Sequence, residues 1–218
     1  LILLCIAIVQ HGLTQTDTTA LANLYDRVLD FDETKQDSVI YYADFIESHS
    51  KDIHFARGKI LSLRLRGIYK EFKNDYYSAI DYYYQCLDEA RRLKRQDYEA
   101  AALGDLAIVY NTINQPEKTR DLYKQALQLA VLRKEQSSIF THNTNLGSIY
   151  TKLGMPDTAL VYLKQAEEIA ETFPGKFDLG SLHNNTGNAW FYKKDWNKAL
   201  SFFKINYVLI PGSICHKT

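Results

Sequence analysis

Four prolines and ten glycines in 218 residues are too few breakers for a turn-rich β fold, so helices are expected. Cysteine is scarce too. Cys5, Cys86 and Cys215 form no CxxC pair and have no histidine at metal-ligand spacing, which argues against a disulfide framework and a zinc site. Neither sign of charge is in excess: Lys+Arg and Asp+Glu both number 26, and this balance leaves no electrostatic footprint for nucleic acid. The densest basic run, Arg91, Arg92, Lys94 and Arg95, falls where a helix is expected to end, and the helix dipole accounts for it. The sequence contains no GxGxxG, P-loop, HExxH or GxSxG, and no catalytic constellation emerges from its six scattered histidines. His142 and His183 occupy nearby slots in successive predicted helices, but without an accompanying carboxylate or cysteine they read as surface or groove histidines. What remains is a composition, 46% hydrophobic and 24% charged, that folds.

Long apolar runs are likewise absent. Leu1–Val9 is too short to cross a bilayer as a helix, but it suits the apolar core of a secretory signal, with Gly12 and Thr14 near the expected cleavage site. Residues 1–14 are therefore expected to be a truncated signal peptide, 18–209 a helical repeat domain and 210–218 a tail. On this reading the protein is exported, periplasmic or membrane-associated.

The dominant feature is a repeat. Ala79, Thr119, Ala159 and Ala199 recur at one constant interval. Four positions after each come Tyr83, Tyr123, Leu163 and Phe203, and three further on come Cys86, Ala126, Ala166 and Asn206. Val39, Ala43 and Ile46 mark a divergent first copy, which makes five. A second helix-period pattern precedes each marker: Leu106, Ala107 and Tyr110 match Leu146, Gly147 and Tyr150, then Thr186, Gly187 and Trp190. In the second copy Leu65 and Tyr69 lie one residue out of step, so its turn, FKND, is expected to hold an extra residue. Pro116 and Pro156 are placed to open the second helix of their pairs. Each unit is therefore helix–turn–helix. Cys86 stands where other copies have alanine and is expected to be a small buried filler.

The stretch NLGSIYTKLGMPDTALVYLKQA resembles the tetratricopeptide repeat at Leu146, Gly147, Tyr150, Ala159, Leu163 and Ala166. The resemblance covers about residues 20–209. That family usually repeats every ~34 residues, and the six added here fit as about one and a half helical turns. HEAT and armadillo arrays have periods closer to the one seen here, but they lack this Gly–Tyr–Ala spacing. The resemblance implies an all-α, right-handed superhelical array of about five helix–turn–helix repeats, with first helices lining a concave groove. It implies a non-catalytic scaffold without cofactor or metal, whose partner is a protein or peptide.

Asparagine is a mediocre helix former, yet Asn143, Asn145, Asn184, Asn185 and Asn188 fall in the middle of two predicted first helices. With Thr141, Thr144, Ser148 and Ser181 they make a polar, uncharged patch. Asn145, Asn184, Asn185, Asn188, Thr141 and Ser148 are the residues expected to hold a peptide main chain. The family's carboxylate clamp needs Lys and Arg beside its asparagines, and no such basic partner stands beside the asparagines of copies four and five. The long stride and the apolar leader also resemble the sensor portions of bacterial tetratricopeptide signalling proteins, which implies a membrane-attached context. An alternative role is self-assembly through an apolar end expected at Phe202, Phe203, Tyr207 and Ile210.

Overall fold

The computed structural model describes residues 18–52, 55–177 and 179–208. The leader, the tail, Cys5, Cys215 and Ile210 lie outside them. Among the described residues there are ten α-helices: α1 Thr18–Leu29, α2 Gln36–Asp52, α3 Gly58–Phe72, α4 Tyr76–Arg92, α5 Gln96–Thr112, α6 Pro116–Arg133, α7 Gln136–Lys152, α8 Pro156–Thr172, α9 Leu179–Tyr192 and α10 Trp196–Val208. None is long and apolar enough to cross a membrane. The fold is an all-α array of helix–turn–helix repeats. It divides into two compact units, residues 1–109 and 110–218.

The stride is visible in the helix bounds. Second helices start at Gln36, Tyr76, Pro116, Pro156 and Trp196, at the same interval as the sequence markers. The turn inside each pair after the first carries a left-handed residue at the same place: Asn74, Asn114, Gly154 and Lys194, with φ of 56°, 57°, 72° and 64°. The next amide reaches back five positions, as in Asp75 N–H to the Lys70 carbonyl at 2.9 Å and Met155 N–H to Tyr150 at 2.9 Å. This closes the last helical turn and reverses the chain. Pro116 and Pro156 open α6 and α8, where the missing N–H has no intrahelical partner to lose.

No extra residue is found in the second copy's turn, contrary to the sequence expectation. Asn74 keeps the register of Asn114, and Gly67 keeps that of Gly147 and Gly187. The slot of Leu106 and Leu146 is filled instead by Arg66, whose guanidinium donates to Asp44 at 2.6 Å and Glu47 at 3.0 Å on α2. A charged side chain paired with the preceding second helix replaces a buried leucine, so the apolar pattern shifts while the backbone register does not.

In three of the five pairs the crossing is set by a residue without Cβ; the α5–α6 pair has Ala107 in that slot. A Cβ on Gly147 would fall 2.4 Å from Leu163 Cγ. One on Gly67 would fall 2.4 Å from the Tyr83 ring, and one on Gly187 the same distance from Phe203. In all three cases the partner occupies the same slot of the second helix. Ala79, Ala159, Cys86, Ala126 and Ala166 are fully buried, and the Cys86 thiol donates to the Ile60 carbonyl at 3.6 Å, as a small filler should. Gly147→Val is expected to lower stability by about 2–3 kcal/mol through overpacking. Adding Leu163→Ala should recover part of that loss, although Leu163→Ala alone costs about 2–5 kcal/mol. Urea unfolding of the four proteins of this cycle measures the coupling.

Candidate functional site

The polar patch lies on α7 and α9, which pack side by side in the second unit. Thr141, Asn145 and Ser148 follow the helical period and share one face of α7; Ser181, Asn185 and Asn188 repeat them one stride later on α9. Thr141, Ser181 and Asn184 are exposed, and Asn145, Ser148, Asn185 and Asn188 are half-buried. Asn185 is occupied: its side-chain N–H donates to the Thr144 carbonyl at 3.3 Å, tying α9 to α7. Thr144 is buried, with its hydroxyl donating to the Phe140 carbonyl at 2.9 Å. Asn143 is also buried and leaves the patch altogether. Of the predicted residues, Thr141, Asn145, Ser148, Asn184 and Asn188 therefore stand on a neutral accessible stripe, and Asn185 is a rung between helices.

The first unit has the same rung in ionic form. Arg64 on α3 donates to both carboxylate oxygens of Asp105 on α5, at 2.5 and 3.1 Å, and to the Tyr25 hydroxyl on α1 at 2.8 Å. Arg64 to Asp105 and Thr144 to Asn185 span the same register offset.

Sequence reasoning missed a second recurring feature. Three cavities lie at register-equivalent places, where the end of one second helix meets the start of the next first helix. One of about 490 Å³ lies among α6, α7 and α8; one of about 370 Å³ among α2, α3 and α4; and one of about 350 Å³ beside α8 and α9. Their chemistry differs. The niche in the first unit is ionic, with Glu47, Lys51, Lys59, Glu89 and Arg92. In the second unit, one niche has Leu127, Val131 and Ile139 where the next has Glu167, Glu171 and Leu179. The signal that reveals them is the slot shared by Leu63, Leu103, Asn143 and His183, which changes from apolar to polar along the chain.

His142 and His183 have separate neighbours: Tyr123 at 5.9 Å for one and Phe202 at 6.2 Å for the other. Among the described residues no group of three or more His, Cys, Asp or Glu side chains gathers to hold a metal. The apolar end also differs from expectation. Phe203 turns in against Gly187 and Phe202 packs near His183, whereas Phe191, Tyr192, Trp196 and Leu200 are the exposed apolar residues.

Two family models, both described as Tetratricopeptide repeat, match residues 60–130 and 143–173. The chain carries tetratricopeptide repeats over these two stretches. A Tonsoku-like protein of Danio rerio is 25% identical over 113 residues, which is 52% of this chain and 8% of that protein's length. Among solved structures, BtubC from P. vanneervenii superposes with a TM-score of 0.70 at 16% identity, covering 93% of this chain and 84% of that one. NprR in complex with its cognate peptide NprX gives 0.60 at 15% identity, covering 93% and 65%. At such identities the structural likeness is one of fold.

The first unit of this tetratricopeptide array also buries titratable groups. The Tyr83 hydroxyl donates to Glu71 beneath the α3–α4 crossing. Burial raises the Glu71 carboxyl above its ordinary value, against the opposing pull of the Tyr83 hydrogen bond. Burial likewise pushes the Cys86 thiol up to about 12, so it stays protonated and unreactive at neutral pH. The folded chain therefore holds the Glu71 proton more tightly than the unfolded chain does, and this contribution to stability falls as pH rises. The loss should begin near the ordinary value of 4.5 and be complete above the raised one. Glu71→Gln keeps an acceptor for Tyr83 and removes the titration. Its urea midpoint is expected to gain on the wild type between pH 4 and pH 7, which paired unfolding curves check.

Proposed function

We propose that this tetratricopeptide chain is a non-catalytic scaffold that docks an extended polypeptide segment along the α7–α9 stripe. The carrying observation is the stripe itself. Thr141, Asn145 and Ser148 stand in register with Ser181, Asn185 and Asn188, and the side chains left accessible are uncharged amides and hydroxyls. An asparagine amide offers two donors and an acceptor, which suits the alternating N–H and C=O groups of a peptide main chain. Asn145, Asn184 and Asn188 are the contacts assigned to the partner, while Asn185 maintains the helix spacing. The scaffold role is supported by the two tetratricopeptide-repeat matches and by the fold shared with NprR, which was solved with its cognate peptide. The finer role, an exported sensor part of a signalling protein, rests on the apolar run Leu1–Val9.

The test is capture from an array of short synthetic peptides. The combined Asn145→Ala, Asn184→Ala and Asn188→Ala variant is expected to melt with the wild type, because these residues are accessible, and to lose about tenfold or more in capture. Equal capture by both proteins overturns the stripe assignment.

A further inference from the structure

The niche beside α8 and α9 has an acidic wall that packing does not call for. Glu167 and Glu171 lie one turn apart on α8, are both exposed and line it together. At the same two places α2 has Glu47 and Lys51, which pair with each other at 3.1 Å; α4 has Leu87 and Arg91, and α6 has Leu127 and Val131. Two like charges one turn apart destabilise a helix, and carboxylates near its C-terminus oppose its dipole. α2, α4 and α6 have bases in their last turn, including Lys51, Arg92 and Arg133, whereas the last turn of α8 has none. No ion pair of Glu167 or Glu171 is found among the described residues; the nearby Lys164 reaches Glu168 instead, at 4.0 Å. A cation seated between the two carboxylates relieves both penalties.

The remaining walls narrow the choice of cation. Phe173, Phe177, Leu179 and Leu182, with the Pro174–Gly175 turn, surround a space of about 350 Å³. Phe177 is held in place by stacking on Phe140, ring centroids 4.5 Å apart. His183 adds Nδ1, which is buried, has no partner among the described residues and is an acceptor when the proton is on Nε2. Among the described residues no Lys or Arg lines the niche, although Lys176 stands over the Phe173 ring at 5.4 Å. The occupant that matches this lining is positively charged, has donors but no acceptor, and carries an apolar stem. Arginine has five N–H donors, no acceptor and a flat guanidinium that stacks on aromatic faces while its edge donates to carboxylates. Lysine matches the charge, but its compact, strongly hydrated ammonium gains less from phenyl walls and bridges less well two side chains about 5–6 Å apart at Cβ.

We infer that the niche beside α8 and α9 is a docking site for an arginine side chain presented by a polypeptide partner, with the guanidinium spanning Glu167 and Glu171. The inference rests on the scaffold reading only for the polypeptide source of the arginine, and it makes no use of the α7–α9 stripe.

The probes are N-acetyl-arginine N-methylamide, the matching lysine and citrulline compounds, ethylguanidinium and an arginine-containing hexapeptide. They are titrated into the whole chain and followed by the methyl NMR signals of Ala170, Leu179 and Leu182. The arginine probe is expected to shift these methyls and to bind about tenfold more tightly than the citrulline probe, which keeps the shape without the charge. Glu167→Leu combined with Glu171→Val installs the residues of α6, should melt no lower than the wild type, and is expected to bind the arginine and citrulline probes alike. The triple stripe variant should bind the arginine probe as the wild type does, so failure of the stripe and failure of the niche read out separately. Unshifted methyls overturn the proposal, as does equal affinity of the wild type for the arginine and citrulline probes. Lysine binding as tight as arginine overturns the choice of guanidinium. Tighter binding of ethylguanidinium than of the hexapeptide assigns the niche to a small molecule and overturns the polypeptide source.

Discussion

A missing Cβ governs how closely three of the five helix pairs close. Gly67, Gly147 and Gly187 each receive a side chain from the same slot of the following helix, and that side chain is large: Tyr83, Leu163 or Phe203. Burying such a group is worth about 1.5–3 kcal/mol, but only where the facing backbone leaves room. Glycine in a helix interior costs about 1 kcal/mol against alanine, so the contact stabilises the pair only because the burial gain exceeds that cost. The left-handed turn residue just ahead of α4, α6, α8 and α10 does not need glycine in the same way. Asn74, Asn114 and Lys194 occupy it with a Cβ, and Gly154 has nothing within 4 Å of where one would stand. Contact favours glycine at the first position in these three pairs; backbone conformation alone biases the second.

The long stride follows from helix length. α5 and α7 have 17 residues, α6 has 18 and α8 has 17, joined by turns of two to three residues. Each helix is about 25 Å long. Relative to the usual ~34-residue unit, the added residues lengthen helices and leave the turns short. Longer helices extend each pair beyond the glycine crossing, and the three cavities lie toward that far end. There the end of one second helix, the start of the next first helix and, in two of the three, the end of the following second helix converge.

Much of this was legible in the sequence because a repeat prints the same physics several times. Ala79, Thr119, Ala159 and Ala199 mark buried contacts at equal intervals, and Pro116 and Pro156 mark helix starts that the backbone confirms. The second copy misled because Arg66 replaced a core leucine. The apolar markers moved to Leu65 and Tyr69, while Gly67, the residue in true register, carries no hydrophobic signal. Conformation was thus kept where apolarity was not. The patch was half legible. Helix period placed Asn145 and Asn188 on an accessible face, but it could not show that Asn185 commits its amide to the Thr144 carbonyl or that Asn143 is buried. Those distinctions depend on the neighbouring helix, whose rotation a single helix does not encode.

Two kinds of polar slot result, and their energetics differ. A rung polar group, such as Arg64 or Asn185, is matched by the adjacent first helix and holds the spacing of the array. Its removal would strand a partner, so it is constrained by folding. A niche polar group, such as Asn143, is matched by nothing in the chain. Its removal would strand no partner, so folding would favour an apolar replacement at once, as Leu63 and Leu103 show. The array tolerates it because Leu146, Leu163 and Ala166, fully buried close by in the same helix pair, supply burial that one unpaired carbonyl does not cancel. A repeat fold can therefore hold a locally unfavourable residue in one copy while its siblings keep the favourable one. The contrast between copies, read slot by slot, separates groups that the packing requires from groups that it does not.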